Sequence, residues 1–458
     1  MKFFVKIIGI FYLISFASLY ANDECLHPQD LIFNKSNLSN EIDQNKDVDS
    51  SVFIYFDQSL SMQGYTKDQS GQKNLYINVI DDLQQIAENV GNKTYYHSFG
   101  KSILPIQENK ISQVIKPIFY ECTGSAQDCN NQESKIHLPF KMAEANPDGT
   151  YVIVTDLFLS SKQLVGGTLN QLTKPLKSIL KKGKSVGIIG VMSSFNGTIF
   201  DIPKREGGTV SYTEAQKRPF FIIVIGNQNE INRIKKNLEE QHFNDPEDQY
   251  KFSLITSTPI VQNLTENKLI NENSIKNISN AEKFKFEYLK DQLPLFQFDT
   301  NKKRKLNFTI DNKDIIVPGS TGVSSYDVKE TLWVSQKSKC KEIDWRKSKF
   351  ETISQWSQTN ENLSIDLFKE VSLKKLFRGM RYFYVADIYA TKPGNLSEEI
   401  FEEWSIRDSE AEEFKESNPV EFKTLNLTKI IKILNSVAND EFEPTLIASI
   451  GLDFNLIK

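Results

Sequence analysis

Four stretches between residues 51 and 226 are apolar at nearly every position: "VFIYF" (52–56), "YVIVT" (151–155), "SVGIIGVM" (185–192) and "PFFIIVIG" (219–226). A strand with one wet face alternates apolar and polar side chains. One that is apolar throughout is covered on both faces, as in parallel sheets flanked by helices. The segments between these runs carry helical spacing. In "NLYINVIDDLQQIAENV", residues Tyr76, Val79, Ile80, Leu83, Ile86, Ala87 and Val90 fall on one face. "LNQLTKPLKSILKKG" and "NEINRIKKNLEEQ" read the same way, with Pro175 a candidate start for the first. "SKIHLPFKMAEA" predicts a helix that Pro139 shortens or kinks. "KTYYHSF" and "SQVIKPIFY" predict further strands. The pattern predicts an α/β unit over residues 50–245, built on a doubly wound, mostly parallel sheet.

From residue 250 the character changes. "KFSLITSTPIVQ", "KLNFTI", "DIIVPG", "ETLWVSQ", "MRYFYVADIYAT" and "TLIASIGLDFNLI" are strand-like, and "LTKIIKILNSVAN" is the clearest helix among them. The acidic "EEIFEEWSIRDSEAEEFKE" reads as partly helical. Residues 250–458 thus predict a β-rich α+β region, a sandwich with insertions. Residues 22–49 are polar and irregular, a lead-in segment. Ahead of them, Lys2 and Lys6 precede an apolar run from Ile7 to Ala17 and then small residues. That layout predicts a secretory signal peptide over 1–21, cut after Ala17 or Ala21. The run is short of the roughly 20 residues a spanning helix needs, so no stable membrane insertion is expected after cleavage.

A chain of 458 residues is long enough for two or three domains. Its net charge of −4 excludes nucleic-acid binding by bulk positive charge. Export to an oxidising compartment changes how the four cysteines read. Cys122 and Cys129 lie close enough in sequence for a local bridge, leaving Cys25 and Cys340 as a second pair, and four cysteines permit three connectivities. Zinc binding lacks support, since no CxxC pair occurs and the four histidines are scattered. The Asn, Lys and Ile bias and the style of the leader predict a bacterial periplasmic or secreted protein.

Chemistry concentrates where two of the buried runs stop. Asp57, Ser59 and Ser61 follow "VFIYF" at alternate positions, and Asp156 follows "YVIVT". Binding crevices of open α/β sheets lie beyond the carboxyl ends of the strands. If the two runs are neighbouring strands, the carboxylates and hydroxyls converge. Such a set, with no imidazole or thiolate, suits magnesium, manganese or calcium.

These residues resemble the metal-ion-dependent adhesion site of the von Willebrand factor type A family. The family's Asp-x-Ser-x-Ser pattern is matched in full by Asp57-Gln58-Ser59-Leu60-Ser61, with Met62 following. Its later acid stands in Thr-Asp-Gly after an apolar strand; here the stretch is Thr155-Asp156-Leu157, with leucine in the place of glycine. The resemblance covers about residues 50–245 and leaves the C-terminal half unexplained. It implies a divalent cation, Mg2+ or else Mn2+ or Ca2+, held directly by two serine hydroxyls and a threonine hydroxyl. On that pattern Ser59 and Ser61 are direct ligands, and Asp57 and Asp156 supply negative charge, often through water. The place of the middle threonine falls to Ser134, with Thr123 the runner-up. A partner protein's acidic side chain completes the shell.

Taken singly, Asp and Ser after a strand are ordinary turn and cap residues. Catalysis is disfavoured. A phosphotransferase of the haloacid dehalogenase type needs a second Asp where Ser59 stands, an esterase needs glycines flanking its serine, and "PGSTG" at 318–322 lacks the lysine of a phosphate loop. The expectation is therefore an exported, non-enzymatic binding protein. The other class is a metal-free scaffold subunit of a cell-envelope assembly, using its C-terminal region and aromatics such as Trp333, Trp345, Trp356 and Trp404.

Overall fold

A computed structural model describes residues 51–67, 74–91, 93–121, 130–159, 169–200, 202, 208–212, 216–243 and 250–257. Beyond these it describes 285–288, 294–297, 306–311, 323–336, 344–348, 354–358, 362–367, 380–393, 400–407, 410 and 423–455. The leader, the lead-in segment, Thr123 and all four cysteines of the proposed disulfides lie outside the described residues.

Seven strands form one sheet: β1 (Ser51–Asp57), β2 (Lys93–Phe99), β3 (Ile103–Ile106), β4 (Thr150–Thr155), β5 (Ser185–Phe195), β6 (Gln216–Gly226) and β7 (Tyr250–Ile255). Their spatial order is β3-β2-β1-β4-β6-β5-β7. Only β1–β2 and β1–β4 run parallel; β2–β3, β4–β6, β6–β5 and β5–β7 are antiparallel. The sheet is mixed, which corrects the mostly parallel expectation. The cause is β6. It runs antiparallel to both neighbours and inserts between β4 and β5, with Phe195 registered on Gln216. Its run of Phe220 to Ile225 is buried on both faces, and a strand buried on both faces reads as continuously apolar whichever way it points.

Helices cover both faces. On one, α1 (Leu75–Val90) and α4 (Gln228–His242) pack over Val52, Ile54, Phe56, Val152 and Val154. On the other, α2 (His137–Ala145), α3 (Leu169–Lys181) and α5 (Leu427–Asp440) pack over Tyr55, Tyr151 and Ile153. The buried face of α1 is the predicted one. Asn74 caps it, accepting from the Ile77 amide at 3.2 Å. Pro139 sits in the first turn of α2, where its missing N–H costs nothing. Pro175 lies inside α3 and not at its start.

"SQVIKPIFY" is not a strand. It folds into 3-10 turns at Glu108–Gln113 and Pro117–Tyr120, with Pro117 in the first turn of the second. Val114 and Tyr120 drop into the core from these turns. Beyond residue 257 the described segments are chiefly strands. Asp344–Lys347, Val323–Gln336, Arg381–Pro393 and Thr445–Asn455 make a four-stranded antiparallel sheet, and Leu306–Asp311, Asn362–Leu367 and Ser354–Gln358 a three-stranded one. The region also reaches back: α5 and the buried Phe401 and Trp404 belong to the second core face of the seven-stranded sheet. Trp333 and Trp356 are half-buried. No helix among the described residues is long and apolar enough to cross a membrane.

Candidate functional site

The parallel pairing of β1 with β4 sets Phe56 beside Val154, so the next residues, Asp57 and Thr155, leave the sheet side by side. Asp57 is 1% exposed and Asp156 3%. Three donors fix the Asp57 carboxylate. The Ser59 amide gives to Oδ1 at 2.9 Å, while the Ser134 and Thr155 hydroxyls give to Oδ2 at 2.6 and 2.7 Å. Asp156 accepts the Phe158 amide at 3.1 Å on Oδ1 and a bond from the Ser61 side chain. The Ser59 and Ser61 hydroxyl oxygens stand 3.2 Å apart. Asp57, Ser59, Ser61, Ser134 and Asp156 are thus brought together, as one cluster at the carboxyl edge of neighbouring strands.

Backbone contacts hold each loop in place. The Gln58 amide bonds the Phe99 carbonyl at 2.8 Å and the Leu60 amide bonds the Asn131 carbonyl at 3.2 Å, tying the β1 loop to β2 and to the loop that carries Ser134. That second loop runs against Gly100, where a Cβ would come within 1.9 Å of the Asn130 carbonyl oxygen. Only glycine lets it so close. At the β4 loop, Leu157 has φ +50°, a left-handed conformation unusual for a branched side chain. Its side chain is buried in the second core face. From the far end of the chain, the Thr424 hydroxyl donates to the Asp156 carbonyl at 3.0 Å, and the Asn426 amide group to the Leu159 carbonyl at 2.9 Å.

The electrostatics follow from burial. Desolvation and the charge of Asp156 push Asp57 up to about 6, against the opposing bonds from Ser134, Ser59 and Thr155. Asp156 is raised too, chiefly by burial, and the nearby Arg218 guanidinium is the largest opposing influence. Two close carboxyls held above their ordinary range form a site that a cation stabilises.

The donor set fits a small hard ion. Ligands at about 2.1 Å from an octahedral ion and at right angles to each other lie about 3 Å apart, and the Ser59–Ser61 separation matches that edge. Two further hydroxyls, Ser134 and Thr155, stand on the acid between them. Among the described residues no group of three or more His, Cys, Asp or Glu side chains is placed to hold a metal ion, so a cation here would rest on hydroxyls and two acids.

Four contributors escaped sequence reasoning. Thr155 was visible only as the residue before Asp156. Arg218, at the polar start of "RPFFIIVIG", carried a signal in being a lone charge abutting a buried run. Thr424 and Asn426 gave none, because nothing local ties residues 268 and 267 positions away to the β4 loop. Compared with protein-family models, with curated proteins and with solved structures, the chain finds no match in any of the three.

Proposed function

We propose that this carboxyl edge is a divalent-cation site of the von Willebrand factor type A kind, and that the protein, exported by its leader, binds a partner's acidic side chain through it. The observation that carries the reading is the convergence of the Asp57-x-Ser59-x-Ser61 loop with Ser134 and Asp156 across adjacent parallel strands. Ser59 and Ser61 would hold Mg2+, or Mn2+ or Ca2+, directly, and Ser134 would stand in the middle threonine's place. Asp57 and Asp156 would orient bound water and balance charge. An ion of this kind supplies a Lewis-acidic position for an incoming carboxylate. The role is binding and not catalysis.

The second reading is a metal-free scaffold. What favours it is the full complement of bonds on Asp57, which already satisfies both oxygens within the protein. Calorimetric titration with Mg2+ and Mn2+ separates the two. Uptake by the parent and none by a Ser59→Ala/Ser61→Ala variant is expected. A folded parent that takes up neither ion leaves the scaffold reading.

A further inference from the structure

Arg218 is the third residue of β6. Because β6 runs against β4 and β5, its first residues lie at the edge where β1 and β4 end. The registers put Phe221 beside Thr155 and Arg218 beside Ser193. The side chain is 2% exposed. Its guanidinium lies over the rings of Phe195 at 4.8 Å and Phe158 at 5.5 Å. Phe158 is the residue whose amide holds Asp156. Its polar neighbour is the Tyr65 hydroxyl, which itself donates to the Pro219 carbonyl at 2.7 Å, and among the described residues no carboxylate is hydrogen-bonded to the guanidinium. A buried, always-charged group with no carboxylate bonded to it is tolerated only where opposite charge lies close by. The Asp156 carboxylate, whose charge the guanidinium favours, is that charge, and Asp57 lies beside it.

We propose that Arg218 is the resident cation of the Asp57–Asp156 site, a charge-setting residue that leaves the pair with one net negative charge instead of two. The second clause rests on the reading of the site given above. With a divalent ion on the serines, the site then carries one net positive charge, and a single carboxylate neutralises it. Without Arg218 the loaded site would already be neutral, and the same carboxylate would leave it negative. Arg218 therefore trades affinity for the metal against affinity for an anionic ligand. The two aromatic rings suit this role, since they stabilise the cation without competing for the acids.

Two experiments on the mature full chain test this. The first is a double-mutant cycle of Arg218→Met and Asp156→Asn, followed by denaturant unfolding in chelator. Each single substitution is expected to lower the midpoint, and the double to lose clearly less than the sum. Arg218→Lys should stay nearer the parent. If Arg218→Met alone fails to fold, the double variant should recover folding. Additive losses, or a double variant that stays unfolded, overturn the proposal. The second is Mn2+ titration with acetate as the anionic probe. Loss of the guanidinium charge should tighten Mn2+ about tenfold, the scale of one nearby charge at moderate dielectric, and weaken acetate binding to the loaded protein. Unchanged or weaker Mn2+ binding in a folded Arg218→Met chain overturns the charge-setting role. A parent that binds no Mn2+ while the cycle still shows coupling refutes the metal reading of the site and leaves Arg218 as its sole cation.

Discussion

The two halves of the seven-stranded sheet differ in direction and in what they bring to the same edge. In the parallel half, β1 and β4 end together and deliver acids and hydroxyls from their last residues and the loops that follow, joined by Ser134 from the loop before α2. In the antiparallel half, β6 begins at that edge and delivers a cation from its first residues. Had β6 run parallel, Arg218 would lie at the opposite end of the sheet. Strand direction, which hydrophobicity does not encode, decides which charges meet. The parallel half alone carries the residues proposed to hold an ion, and the antiparallel half the residue proposed to set their charge.

The largest effect is expected at the seam between the halves. Ile222 of β6 registers with Val154 of β4, and both are fully buried on the α1 face. Ile222→Ala should cost about 2–5 kcal/mol, read as a lowered denaturant midpoint with one unfolding transition for the whole sheet. Two separate transitions would show that the halves fold independently.

Next is Leu157, where two effects oppose each other. Glycine would relieve the left-handed backbone, worth roughly 1–2 kcal/mol, but would lose a buried leucine side chain, at roughly 2–5 kcal/mol. Burial wins. Leu157→Gly should destabilise by about 1–3 kcal/mol, although glycine is what the resembled family carries there. A more stable variant would mean that strain dominates the β4 loop.

Ser134→Ala removes one of two hydroxyls on Asp57 Oδ2. It should cost about 1 kcal/mol of stability and weaken Mn2+ binding more than Thr155→Val does. Equal effects on the ion would remove Ser134 from the middle threonine's role.

The finest effect is in pH. Asp57 is raised to about 6 in the folded protein and is an ordinary carboxyl, near 4, in the unfolded chain. Between those values the folded state holds a proton that the unfolded state has lost. This group's contribution is therefore complete below about pH 4 and falls away as pH rises through about 6. Cation uptake runs the other way, weakening as pH falls below about 6, because proton and ion compete for the same charge. Asp57→Asn should flatten both dependences; unaltered slopes would place the titrating group elsewhere.

Much of this was legible in the sequence, for physical reasons that can be named. Periodicity identified α1 because its seven apolar residues fall on one face, and all are buried. Burial on both faces identified β1, β4, β5 and β6 as strands, while leaving the direction of β6 unread. The convergence of Asp57, Ser59, Ser61 and Asp156 was expected if the two strands ending in acids were neighbours, whereas Ser134 was named only through the family resemblance. The 3-10 turns at 108–120 did not, because Val114, Tyr120 and their neighbours are as apolar as a strand. Thr424 and Asn426 were invisible for a different reason, although the helix α5 that follows them was legible from its periodicity. Their contacts span more than 260 residues, and no local pattern reports a partner so far along the chain.

The most direct test of a cation site at this edge is an anomalous-scattering map from crystals of the mature protein soaked in Mn2+. The account predicts one peak about 2.2 Å from both the Ser59 and Ser61 hydroxyl oxygens, with Asp57 and Asp156 reaching it through water. A well-diffracting crystal with no peak there, or with manganese bound only elsewhere, would contradict it.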